Sequence, residues 1–101
     1  MFTLQISYPV RDYDAFKKVF DTDPAGRAAA GARSVRVFRD TEDQNSVAVL
    51  LDFDTGDAAT VFLERLRTQV WEKPEVIGQL MSAPPTARIL EEVAREGQAA
   101  G

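Results

Sequence analysis

The sequence contains no cysteine and no histidine among its 101 residues. Those two absences exclude Cys and His nucleophile systems, the Ser/His/Asp triad, the usual zinc sites and the common axial haem ligands. No apolar run approaches the roughly 20 residues that a membrane-spanning helix needs. The opening residues Met1 to Gln5 show neither a basic leader nor a long apolar stretch, which predicts a cytoplasmic protein without an export signal. Positive charge is in deficit: 12 Lys and Arg stand against 16 Asp and Glu, for a net charge of −4, which disfavours nonspecific binding to nucleic acid. With 6 Gly and 5 Pro beside 45% hydrophobic residues, the composition is that of a folded chain and not of a disordered one.

What is present reads as one domain. Phe2, Leu4, Ile6 and Tyr8 alternate with Thr3, Gln5 and Ser7, the period-2 pattern of a half-buried strand that Pro9 ends. Asp12 is placed to cap a helix whose apolar positions are Tyr13, Phe16, Val19 and Phe20. Asp23-Pro24 then reads as a cap and first helical residue, predicting a second short helix through Arg27 to Ala30 that Gly31 closes. Val35 and Val37 on one side, and Val47, Val49, Leu51 and Phe53 at strict period 2 on the other, flank the polar stretch Asp40–Asn45 and predict a hairpin. The second of these strands also carries Ala48 and Leu50, so it is apolar on both faces, as a central strand is.

Asp54-Thr55 caps a second long helix with the stripe Ala59, Phe62, Leu63, Leu66 and Val70, leaving Glu64, Arg65 and Arg67 to water. Trp71 marks its end before Pro74. An irregular stretch follows, with one helical turn expected over Glu75 to Ile77, and Thr86 to Leu90 read as the last strand. The order βαββαβ predicts an α+β, ferredoxin-like domain over residues 1–93 with a four-stranded antiparallel sheet, and a flexible C-terminal tail over 94–101.

In that plan both helices cover one sheet face and the other stays open. The open face mixes Thr3, Gln5, Ser7, Ser34, Arg36, Asp52 and Arg88 with Phe38, Ala48, Leu50 and Leu90, too apolar at its centre for a purely solvated surface.

The runs Val10–Asp21, Val37–Asp40, Val49–Phe53 and Ala87–Glu92 resemble small members of the dimeric α/β barrel superfamily, near the antibiotic-biosynthesis-monooxygenase-like group. The resemblance spans roughly residues 2 to 92 and is one of fold pattern, without a catalytic signature. It implies a homodimer closed by two facing sheets, a small-molecule pocket between sheet and helices, and chemistry without a bound cofactor. Members that work without a cofactor use an asparagine, a tryptophan and sometimes a tyrosine. Here the one asparagine, Asn45, falls in the hairpin turn, where left-handed backbone angles favour it, so that match fails.

The candidate ligand-binding residues are Tyr8, Tyr13, Phe16, Arg36, Trp71 and Arg88, with no catalytic residue assignable. Each has an ordinary structural alternative. The tyrosines read as packed phenols or as hydrogen-bond donors to a small aromatic ligand. Trp71 reads as a core lid or a pocket contact. Arg36 and Arg88, expected on adjacent strands of the open face, would hold an anionic ligand or pair with Asp52 between subunits. The acids Asp40, Glu42 and Asp43 lack the glycine and distant glutamate of a calcium loop and read as a solvated turn, so no metal is expected. An enzyme acting on an aromatic or polyketide-like substrate, a noncatalytic dimeric binding module and a structural dimerisation unit all fit these residues.

Overall fold

The computed structural model describes residues 1–73 and 78–97. Its elements are β1 (Phe2–Pro9), α1 (Tyr13–Asp21), β2 (Ser34–Arg39), β3 (Ser46–Phe53), α2 (Gly56–Leu66), running on into a π-helical turn (Arg67–Trp71), and β4 (Thr86–Glu91). All strand pairs are antiparallel and the sheet order is β2-β3-β1-β4, the ferredoxin-like arrangement. The turn expected over Glu75 to Ile77 and the end of the tail lie outside the described residues. Among the described residues, no helix is long and apolar enough to cross a membrane.

Alternation dictates which face each side chain takes. The rows Val35–Leu51–Leu4–Ile89 and Val37–Val49–Ile6–Ala87 run across all four strands on the helix side. Leu4, Ile6, Val47, Val49, Leu51 and Phe53 are almost completely buried there, against Phe16 of α1 and Ala59, Phe62, Leu63 and Leu66 of α2. Both helices start where the sequence places their caps: the Asp12 carboxylate accepts from the Ala15 N–H, and the Thr55 hydroxyl accepts from the Ala58 N–H, each at 3.1 Å.

The helix expected from Asp23 to Ala30 does not form. Asp23 takes a left-handed backbone (φ 53°), and Gly26 (φ 67°) turns the chain again, so the segment folds as consecutive turns. The Asp23 carboxylate accepts from the Arg27 N–H at 2.8 Å, and the Gly26 N–H reaches the Asp23 carbonyl at 3.1 Å. Gly31 does adopt a left-handed angle (φ 100°), as expected of it. Arg65 also departs from expectation. It does not simply face water: its Nη1 donates to the Ala25 carbonyl at 3.1 Å, tying α2 to this loop.

On the other face lie the rows Ser34–Asp52–Thr3–Leu90, Arg36–Leu50–Gln5–Arg88 and Phe38–Ala48–Ser7–Thr86. Among the described residues, no helix covers them. Ala48 and Leu50 are half-buried at the centre, while Phe38 and Leu90 are exposed.

Candidate functional site

Between the helix side of the sheet and α1, α2 and the π-helical turn lies a partly open cavity of about 50 Å³. Its floor is Ile6, Tyr8, Val49 and Leu51, and its helical walls are Phe16, Val19 and Phe20 of α1 and Phe62 and Leu66 of α2. The π-helical turn adds Val70 and Trp71. The loop after α1 adds Asp23 to Ala25 and Arg27, and Leu80 and Met81 close another side. A π-turn at the end of an α-helix shifts the register of the residues that follow. Here it sets Val70 and Trp71 on the same cavity as Phe62 and Leu66.

The lining is largely apolar, its polar side chains being Tyr8, Trp71, Asp23 and Arg27. Tyr8 is 6% exposed, its ring 4.9 Å from Phe16 and edge-on to Trp71 at 6.0 Å. Burial pushes its hydroxyl well above the ordinary phenol range, against the smaller opposing effects of a hydrogen bond with Trp71 and the positive charge of Arg27. The phenol therefore stays protonated at any physiological pH and can donate a hydrogen bond. Arg27 lies with its guanidinium carbon 3.9 Å from the centre of the Phe20 ring, and Asp23 stands beside it.

Of the candidates drawn from sequence, the fold brings Tyr8, Phe16 and Trp71 together in this cavity. Tyr13 stands apart from it, its ring 6.5 Å from Phe16 and faced by the Arg39 guanidinium at 4.9 Å. Arg36 and Arg88 lie on the opposite face of the sheet. They share one cross-strand row but on β2 and β4, its two edges, and not on adjacent strands as expected. Three strand spacings separate their backbones by about 14 Å. Sequence reasoning missed Arg27, Asp23, Leu80 and Met81, which reach the cavity only through the turns of the 22–33 loop and the return of the chain after α2. The single asparagine, Asn45, is exposed in the β2–β3 turn, donating its N–H to Asp43.

Five of the polar side chains on the open face pair within one chain. The Asp52 carboxylate accepts from the Thr3 hydroxyl at 2.6 Å and from the Ser34 hydroxyl at 2.7 Å, and Arg88 Nε donates to Gln5 Oε1 at 3.0 Å. The Thr3 hydrogen bond, with help from Ser34 and Arg36, holds the Asp52 carboxyl below the usual carboxylate range despite its partial burial. A carboxylate with a lowered folded-state pKa adds stability above its unfolded value, near pH 4, and loses it as pH falls through the folded value. Asp52→Asn is therefore expected to cost stability at pH 7, by no more than about 1 kcal/mol for so accessible a group, and to cost much less near pH 2.5. Urea midpoints of both proteins at the two pH values check this. An equal deficit at both would show that the carboxylate charge is irrelevant.

No protein-family model matches this sequence, and neither does any curated protein. Solved structures do match in fold. The cofactor-independent oxygenase SnoaB of Streptomyces nogalater, solved as an asparagine-to-alanine variant, superposes with a TM-score of 0.69 at 17% identity, covering 93% of this chain and 94% of that one. A protein solved as an antibiotic biosynthesis monooxygenase gives 0.68 at 10% identity, over 93% of this chain and 100% of its own. The chain shares the α+β, ferredoxin-like fold of these proteins. An uncharacterised NIPSNAP domain protein from Burkholderia xenovorans shares it as well, with a TM-score of 0.66 at 18% identity over 97% of this chain and 100% of that one. The same fold thus serves proteins described as oxygenases and one without an assigned activity, so this chain's chemistry has to be argued from its own cavity.

Proposed function

We propose that this protein binds a small aromatic molecule in the cavity between sheet and helices, and acts on it without a bound cofactor, by oxygenation, cyclisation or isomerisation. The observation that carries this reading is the buried, protonated Tyr8 hydroxyl set beside Trp71 in a largely apolar lining. Such a site sorts ligands by shape and fixes them by one hydrogen bond. Donation from Tyr8 to a ligand carbonyl or phenolic oxygen would stabilise charge developing on that oxygen. The oxygenase described for Streptomyces nogalater supports the reading as a neighbour in fold.

Size limits the ligand. An engineered cavity of roughly 150 Å³ takes up benzene, so even one ring requires a wall to give way here. Met81, unbranched and flexible, is suited to yield. A one- or two-ring ligand fits this better than an extended polyketide. A second reading, a noncatalytic binding module, is favoured by one observation: Asn45 lies in an exposed turn and does not line the cavity.

The test uses the single tryptophan as reporter. Titration with naphthol is expected to quench Trp71 emission saturably, and Tyr8→Phe is expected to weaken binding about three- to tenfold, the value of one hydrogen bond. Equal affinity in the variant would remove Tyr8 from the site. Oxygen uptake with the bound ligand separates the oxygenase from the binding module. The proposal includes a homodimer, closed by the open sheet face with its exposed Phe38 and Leu90 and central Leu50, in a cytoplasmic setting and without nucleic acid.

A further inference from the structure

Within that same cavity, and resting on its reading as a ligand site, we propose that Arg27 selects an ionised ligand, so that a phenolate or enolate is held in preference to its neutral acid. Arg27 is not on a strand or helix of the fold; it hangs from the turns that follow α1 and enters the cavity wall from there. Both polar contacts of its guanidinium among the described residues run through one nitrogen. Nη1 donates to the Phe20 carbonyl at 2.9 Å and stands 3.6 Å from Asp23 Oδ1. Charged hydrogen bonds between guanidinium and carboxylate close to about 2.7–2.9 Å when fully made, so Asp23 offsets the arginine charge without a direct bond.

The arrangement is more than a staple for the loop. The Asp23 carboxylate already accepts the Arg27 backbone N–H at 2.8 Å, and Arg65 Nη1 already secures the Ala25 carbonyl, so the turn is held by groups other than the guanidinium. The Arg27 side chain is 19% exposed, and its guanidinium packs on Phe20, beside aliphatic walls that offer it no counter-charge. A partly desolvated cation with an incomplete partner favours any anion that reaches it. Its charge is also felt at Tyr8. The groups facing the ligand space are therefore Tyr8 from β1 and Asp23 and Arg27 from the loop, while the Arg65 of α2 is committed to the loop carbonyl. A ligand oxygen near Tyr8 would take a hydrogen bond from the phenol and a favourable field from Arg27, and both strengthen as the oxygen becomes an oxyanion.

The probe is para-nitrophenol, whose absorption band reports its ionisation directly, with para-nitroanisole as the neutral partner of similar shape. The dye is expected to ionise about one pH unit lower when bound than when free, because the phenolate binds about tenfold more tightly than the phenol. Arg27→Met is expected to abolish that shift and Arg27→Lys to keep most of it. Asp23→Asn, which removes the resident acid, is expected to enlarge it. Should Arg27→Met fail to fold by circular dichroism, Asp23→Asn decides alone. Equal affinity for the neutral and ionised forms of the dye, or an unchanged shift in Asp23→Asn, would overturn the role of Arg27 while leaving the cavity as a binding site. Absence of saturable binding of both probes would overturn the cavity reading and this inference with it.

Discussion

Replacing Phe53 by alanine is expected to destabilise the domain by about 3–5 kcal/mol. Phe53 closes β3, is fully buried, and its ring centre lies 5.7 Å from that of Phe62 on α2. It is thus a main contact between the central sheet and the second helix. Truncation removes the transfer energy of a buried ring and leaves a void that Leu4, Leu51 and Phe62 can fill only in part, because β1 and β3 are locked in register at Phe2↔Phe53. A domain of this size has a total stability of about 5–15 kcal/mol, so the variant should be partly unfolded at physiological temperature. Urea unfolding followed by far-ultraviolet circular dichroism measures the effect. A loss below about 1.5 kcal/mol would mean that the β3–α2 contact matters far less than its burial indicates. Val61→Ala, on the exposed side of the same helix, should stay within about 0.5 kcal/mol of the parent.

The parts of the fold that were legible in the sequence are those set by local periodicity and caps. Leu4, Ile6 and Tyr8 alternate in β1, and the carboxylate of Asp12 and hydroxyl of Thr55 mark helix starts that tertiary contacts leave unchanged. The loop from Asp23 to Gly31 was not legible in this way. Asp-Pro serves equally as a helix start and as a turn, and here side-chain bonds beyond the reach of a local pattern coincide with the turn: Arg65 to the Ala25 carbonyl, forty residues apart, and Arg27 to the Phe20 carbonyl, seven apart. The cavity was half legible for the same reason. Tyr8, Phe16 and Trp71 are aromatic and stand out, whereas Arg27 and Met81 enter through chain reversals that no local pattern encodes. The separation of Arg36 and Arg88 belongs to a different class. Alternation correctly gives their face, and the βαββαβ order itself sends β2 and β4 to opposite edges, so the distance was present in the topology once the strands were ordered.

Leu50→Asp is expected to convert a dimer of this protein to monomer while leaving each copy folded. Leu50 sits on the inner strand β3, flanked by Arg36 on one side and Gln5 on the other, near the middle of the uncovered face. If two copies close over that face about a two-fold axis, each central side chain meets the partner's central strip, so one substitution places two carboxylates in the same desolvated region. Unpaired buried charge costs several kcal/mol, enough to weaken association by at least a hundredfold. In the separated copy the new carboxylate faces water beside Arg36, and the loss reduces to strand propensity, about 1 kcal/mol at most. Arg36→Ala, at the sheet edge, should change the dissociation constant much less than Leu50→Asp does, since rim charges act mainly on association rate and salt dependence. Light scattering at micromolar concentration reads the outcome. A parent protein that already runs as a monomer would sink the interface, and a Leu50→Asp dimer of unchanged affinity would move the contact to another surface. The hydrogen bonds within each copy, Asp52 to Thr3 and Ser34 and Arg88 to Gln5, lower the cost of covering this face, because these polar groups keep partners when water leaves. If two copies close over this face, the apolar centre around Leu50 is therefore expected to contribute more than new ion pairs do.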